Sequence, residues 1–445
     1  MIFSNLKRTT CTFLLTIFVI FLNAVFSFGQ ESKDQKLWYK QPANSWMKEA
    51  LPIGNGYLGA MLFGGVEEEH IQFNEETLWT GGKGEWNEYN GGNKEGAHKH
   101  LPEVRRLLDV GKYEEAHQLA NRELTGVIKA DKGNSEWEGY GAYQPFGDLY
   151  VRPESSGTVS NYRRELNIDK GVASVEYMND GVHHKREYFA NYPSRTLVFR
   201  FHNDKPEGID YVLRQTTEHK NVDMAFKGGQ LIMSGYLENN GMGFESRLVV
   251  ESDGKILPFI DGKLTVKAAN TLTLYLTAST DYINEYPHYS GRKYKELNKK
   301  TIEIVLCKGY DVLLSEHITD YSNLFSRVNF TLDGADKDNL PTDERLRLYA
   351  NGEEDHTLES LYFQYGRYLL ISSSRPGTMP ANLQGKWNNM GNPPWASDYH
   401  ANINIQMIYW PAEVTNLSEC HEPLIEYIDR LRPPGRKSAK DFFNA

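Results

Sequence analysis

Cysteine is scarce, with only Cys11, Cys307 and Cys420 in 445 residues. That count excludes a disulfide scaffold and a cysteine-built zinc site, and Cys307 and Cys420 read as buried free thiols. Basic blocks are missing as well. Lys and Arg number 49 against 59 Asp and Glu, a formal charge of −10, which makes nucleic acid an unsuitable partner. There is no internal repeat, no low-complexity tract, and no long apolar run outside the amino terminus. What remains, 40% hydrophobic and 24% charged residues, is the composition of a folded globular chain of roughly two to four domains. Aromatic residues reach 12%, a supply of flat faces that serves a core or a site for sugar rings.

The single apolar run lies between Cys11 and Phe28, behind Lys7 and Arg8, and ends on Ser27-Phe28-Gly29. A short positive region, an apolar stretch and small residues at its end describe a signal peptide over residues 1–29 better than an anchor helix. The mature chain is expected to be exported, periplasmic or extracellular, with no stable membrane insertion after cleavage.

From Leu37 to about Ser279 the dominant period is two. Val172, Val175 and Tyr177 precede Asn179-Asp180-Gly181, a hairpin signal, and further strands are expected near Asp148–Val151, Leu197–Phe201, Tyr211–Arg214 and Thr271–Thr277. A helix is expected between Leu101 and Leu124, and a loop over Gly81–His100. After Ser279 apolar residues recur at three and four: Tyr310, Leu313, Leu314, His317, Tyr321 and Leu324 predict one helix, and Leu358, Leu361, Tyr362, Tyr365 and Leu369 another. The fold class is therefore multidomain, β then α: an antiparallel β-sandwich over 30–280, a helical linker over 281–345, and further helices over 346–445.

Several motifs carry little. Gly54-Asn55-Gly56-Tyr57-Leu58-Gly59 matches a dinucleotide fingerprint, but Ala60–Phe63 continues as strand where that fold needs a helix. His183-His184, Glu67-Glu68-Glu69-His70 and His98/His100 lack the spacing of metal ligands, so neither metal nor cofactor is expected. Asn329-Phe330-Thr331 and Asn416-Leu417-Ser418 match the glycosylation triplet.

The chemistry-rich stretch runs from Arg375 to Glu413. It gathers carboxamides (Asn382, Gln384, Asn388, Asn402, Asn404), aromatics (Trp387, Trp395, Tyr399, Trp410), His400, Asp398 and Glu413. Amides beside flat rings suit a sugar: rings stack on its C–H face and amides bond its hydroxyls. Asp398, His400, Asn402 and Asn404 alternate with apolar residues, so an extended segment would point all four to one side. Amides take up no proton at neutral pH, so Asn402 and Asn404 could position a water only with a carboxylate to activate it.

Together with Leu37–Gly65 and Phe73–Gly82 (F-N-E-E-T-L-W-T-G-G), the motifs R-P-G-T-M-P-A-N-L-Q-G-K-W-N and H-A-N-I-N-I-Q-M-I-Y-W-P-A-E make the chain resemble the family 95 glycoside hydrolases. These are α-L-fucosidases acting chiefly on α-1,2-linked terminal fucose, with some members acting on α-L-galactosides. The resemblance implies a β super-sandwich, a helical linker and an (α/α)6 barrel, with metal-free inversion of fucosylated glycans. Asn402 and Asn404 match the asparagines that hold the attacking water, and His400 looks like a sugar-binding residue. Trp387, Gln384 and Asp398 are the further substrate-binding candidates. Ile408 departs from the family, which usually carries asparagine there. The family's general acid and activating aspartate lie well beyond the asparagine pair, and a twelve-helix barrel needs roughly 300 residues. The expectation is a truncated barrel lacking its general acid, with a downstream-encoded remainder as its partner. The alternatives are a non-catalytic carbohydrate-binding protein on the β-sandwich, and an unrelated hydrolase using Asp398 and Glu413.

Overall fold

Alternation builds the β region. In Val172–Asn179 the residues Ala173, Val175 and Tyr177 are buried while their neighbours are half-exposed, as a strand packed on one face requires. It turns into Val182–Asn191 through Asp180 (φ 47°) and Gly181 (φ 82°), the two left-handed residues of a type I′ hairpin. The computed structural model describes residues 35–82, 92–126, 141–154 and 157–445. The expected signal peptide (1–29) and the middle of the Gly81–His100 loop lie outside the described residues.

The strands are β1 (Lys36–Tyr39), β2 (Leu51–Gly54), β3 (Leu58–Leu62), β4 (Glu69–Glu75), β5 (Gly147–Pro153), β6 (Val159–Asn167), β7 (Val172–Asn179) and β8 (Val182–Asn191). They continue as β9 (Thr196–Asn203), β10 (Ile209–Thr216), β11 (Val222–Lys227), β12 (Gln230–Tyr236), β13 (Gly243–Ser252), β14 (Lys255–Ile256), β15 (Leu264–Ala269) and β16 (Thr271–Thr280). Antiparallel ladders join them into a nine-stranded sheet, β1-β6-β7-β8-β9-β16-β13-β12-β11, and a seven-stranded sheet, β14-β15-β10-β5-β4-β3-β2. Phe73, Leu149 and Leu213 of the smaller sheet share one buried core with Tyr188, Phe199 and Leu274 of the larger. Each such side chain contributes about 1.5–3 kcal/mol on burial, so the two inner faces hold the sandwich shut.

The expected single helix at Leu101–Leu124 is two, α1 (Leu101–Asp109) and α2 (Tyr113–Glu123). Gly111, at φ 75°, reverses the chain and lets Val104 and Leu107 pack on Ala116. Helix α3 (Tyr294–Phe325) begins well before the expected Tyr310 and breaks at Gly309 (φ 69°, ψ 174°). Its Ile302, Val305, Tyr310 and Leu313 cover Phe189, Val198, Val249 and Tyr275 on the outer face of the nine-stranded sheet. Then come α4 (Thr342–Ala350) and α5 (His356–Ser373), the latter capped by Asp355, whose Oδ1 accepts from Leu358 N at 2.9 Å while Arg345 holds the carboxylate. The chain ends in α6 (Asn404–Val414), α7 (Glu422–Arg430) and α8 (Arg432–Phe443). This helical region fits part of a barrel. Cys420 is buried as expected, whereas Cys307 is exposed on α3.

The lead-in to α6 differs from its expected form. Only its start is extended (Asp398, φ −81°, ψ −171°); Ala401–Ile403 form a turn and Asn404 opens the helix. The reason is local: Ile405 N donates to His400 O (3.0 Å), Met407 N donates to Ile403 O (2.9 Å), and Ile405, Tyr409 and Ala412 bury along one helical stripe.

Candidate active site

The segment between α5 and α6 is irregular backbone, and the sandwich fixes it. Gly54, Gly56 and Gly59 are the seat. A Cβ on Gly54 would stand 2.5 Å from Ser372 O and one on Gly59 3.0 Å from Lys386 O, so the β2–β3 hairpin meets this segment backbone to backbone. The glycine motif thus serves close packing between the sandwich and the helical layer.

Charge does the rest of the fixing. Glu76 is 3% exposed, and its Oε2 accepts from Met379 N (2.7 Å) and Lys386 Nζ (3.0 Å). Lys386 also donates to Met379 O (2.8 Å) and Pro380 O (3.1 Å), so a buried cation is fully satisfied at one corner of the loop. Burial pushes Glu76 up and Lys386 down, each opposed by its partner. Beside them Glu75, bonded to the Thr77 amide and hydroxyl, is pushed up to about 7 by burial and then by the Glu76 charge. These acids are absent from the sequence-derived site; the Glu75-Glu76 pair directly after a buried strand was the available signal. Farther along, Arg375 bonds Asp320 on α3 (2.8 and 2.9 Å) and lies over the Tyr192 ring.

Trp387 corrects an expectation. Its indole is 7% exposed, packs on Ala43, Ala50 and Met61, and donates Nε1–H to Ile53 O at 2.9 Å. It anchors the loop and offers no ring face to a sugar. Gln384 is half-buried and its Oε1, although buried, accepts from no described residue.

Ahead of Asp398, Trp395 (φ 49°), Ala396 (φ 55°) and Ser397 (φ 51°) are three consecutive left-handed residues without glycine, a strain of about 1 kcal/mol or more each. Tyr143 N donates to Ala396 O (3.0 Å) and Ser397 Oγ to Asn382 Oδ1 (3.1 Å), which hold the bend in place. The bend delivers Asp398, 7% exposed, against His400: Oδ1 bonds Nδ1 and Oδ2 is buried without a described donor. A carboxylate on Nδ1 fixes the proton there in the neutral ring and leaves Nε2 as an acceptor for a hydroxyl. His400 keeps 27% of its side chain exposed, so that face is open.

Past His400, Asn402 is exposed in the turn and Asn404 half-buried at the first position of α6. Neither carboxamide has a described partner, so both are available to a water or a sugar hydroxyl. The structure therefore brings Asp398 and His400 into contact, sets Asn402 in the following turn and Asn404 at the start of α6, and withdraws Trp387. Glu413 bonds His421 at 3.0 Å and sits roughly 14 Å of helix rise along α6 from Asn404.

Residues 37–285 match the description "Glycosyl hydrolase family 65, N-terminal domain", and residues 309–445 match "Glycosyl hydrolase family 95 catalytic domain". The chain is 34% identical over 452 residues to "Alpha-L-fucosidase 2" of Arabidopsis thaliana, covering 94% of this chain and 51% of that protein. It is 32% identical over 427 residues to "Probable alpha-fucosidase A" of Aspergillus niger, covering 91% and 52%. Among solved structures, "Putative kojibiose phosphorylase from human microbiome" aligns with a TM-score of 0.45 at 11% identity, covering 80% and 44%. The chain spans about half the length of the curated relatives it matches. Both domain descriptions apply in chain order, sandwich then helices, and the relatives match across the junction; the chain therefore carries a domain of the glycoside hydrolase family 65 N-terminal type over more than half of its length, followed by a segment similar to the family 95 catalytic domain.

Proposed function

We propose that this chain is the sugar- and water-holding part of an exported, inverting α-L-fucosidase that releases terminal α-1,2-linked L-fucose from glycans. One observation carries the reading. Asn402 and Asn404 present free carboxamides next to a His400 ring held by Asp398, inside the stretch that matches the family 95 catalytic domain. The relatives named above, an alpha-L-fucosidase and a probable alpha-fucosidase, support the substrate.

The division of labour follows from proton accounting. The two amides orient a water without accepting its proton, so a carboxylate has to take it, and a second carboxyl has to protonate the leaving oxygen, with the two groups roughly 6.5–9.5 Å apart. Asp398 is engaged with His400, and Glu413 with His421. The proposal places both missing carboxyls in the half of the relatives' length that this chain does not span. The same proposal covers the solvated apolar side chains of α6 and α7 (Met407, Trp410 and Val414; Ile425 and Ile428), and Leu431 just after α7, with the remaining amphipathic helices in the part of the relatives' length that this chain does not span. Export rests on the Lys7/Arg8 and Cys11–Phe28 pattern, and among the described residues no helix is long and apolar enough to cross a membrane.

Incubating the purified chain with 2′-fucosyllactose tests this. The reading expects no fucose release at enzymatic rates by these 445 residues alone. Full-rate hydrolysis would overturn the division of labour.

A further inference from the structure

A cavity of about 230 Å³ opens where the connection from β16 to α3, the 377–380 loop and α7 meet. It is below the roughly 300–1,000 Å³ of drug-sized ligand sites, which suits one small unit rather than an oligomer. Its inner wall is the buried Glu76. Oε2 is occupied by Met379 N and Lys386 Nζ, whereas Oε1 accepts from no described residue and Glu76 lines the cavity. Arg292, half-buried on another side, lies near enough to pull Glu75 and Glu76 down, yet its guanidinium forms no hydrogen bond or ion pair with a described residue. The mouth carries one more charge of each sign from α7, Glu426 and Arg430, both exposed and likewise unpaired. Tyr282 and Tyr427 add two rings to the lining.

These features select a ligand class. Two guanidiniums disfavour a cation, and carboxylates on the wall and rim disfavour an anion. A neutral ligand covered in hydroxyl groups uses both signs at once, donating to carboxylate oxygens, accepting from guanidinium N–H groups and laying its C–H face on a ring. We infer that this cavity binds one neutral sugar unit, at a site distinct from the His400–Asn404 group. The two sites are neighbours: Tyr427 packs on Tyr399, the residue before His400, with ring centroids 5.1 Å apart. The inference stands independently of fucosidase activity.

The test uses the full chain carrying Asn402→Ala, so that sugar held by the asparagine pair is removed from the signal. L-fucose, D-galactose, D-glucose, D-mannose and N-acetyl-D-glucosamine are titrated separately by ligand-observed NMR. At least one should bind saturably, and Glu426→Ala and Arg430→Ala should each weaken it about fivefold to tenfold. Both positions are exposed and unpaired, so an unchanged melting temperature verifies the fold. Absence of binding by every sugar at about 10 mM, or binding indifferent to both α7 substitutions, overturns the assignment. Tighter binding of glucuronate than of any neutral sugar overturns the ligand class.

Discussion

Glu75 stands fully buried at the end of β4, and burial together with the adjacent Glu76 charge raises its carboxyl from an ordinary 4.5 to about 7. Between these values the folded chain holds a proton that the unfolded chain has lost. Stability therefore falls as pH rises through this window, and the loss is complete above about pH 7. The shift corresponds to about 3 kcal/mol at ~1.36 kcal/mol per unit. For 445 residues with an unfolding entropy of ~2.1 cal/mol/K per residue, that is about 3 to 4 °C in Tm. His184 and His317 act in the opposite direction: burial pushes both down to about 4, so their contribution grows as pH rises from about 4 to 6.5. Comparison with Glu75→Gln cancels them, because the variant keeps both histidines. Measured by differential scanning calorimetry, the Tm of Glu75→Gln minus that of the parent should rise by about 2 to 3 °C between pH 5 and pH 8, the part of the shift that this window spans. A difference that stays flat or shrinks refutes a protonated Glu75 in the core.

Two further perturbations address how the site loop is held. Lys386→Met leaves the buried Glu76 carboxylate uncompensated and should destabilise the chain by about 3–5 kcal/mol in chemical denaturation, and adding Glu76→Gln should recover most of it. Gly54→Ala forces a methyl toward Ser372 O and should lose about 1–3 kcal/mol, whereas Gly366→Ala, in mid-α5 with nothing within 4 Å, should gain about 0.5–1 kcal/mol. Equal effects of the two glycine substitutions would contradict the seating role of the hairpin.

The sandwich was legible because its strands have unlike faces: Ala173, Val175 and Tyr177 alternate with polar neighbours, and Asp180-Gly181 marks the turn. Helix α5 was legible for the corresponding reason, a stripe at three and four. The lead-in to α6 was not, because Asp398–Ile405 satisfies a period of two while Ile405, Tyr409 and Ala412 satisfy a helical one, and only the packed side decides between them. Trp387 illustrates a different limit. Composition marks it as a ring for a sugar, but what it touches is Ile53 O, far away in the sequence. The Glu76–Lys386 pair spans 310 positions, so no local pattern announces it, and the three glycines of the β2–β3 hairpin gain their meaning only from the backbone that approaches them.

The central claim is that Asn402, Asn404 and His400 form one site for L-fucose and its attacking water. Isothermal titration of L-fucose into the chain, compared with Asn402→Ala and His400→Ala, tests it most directly. The account predicts saturable binding by the parent, weakened about tenfold or more by either substitution at unchanged Tm. Fucose binding equal in all three proteins, or absent from the parent, would contradict it.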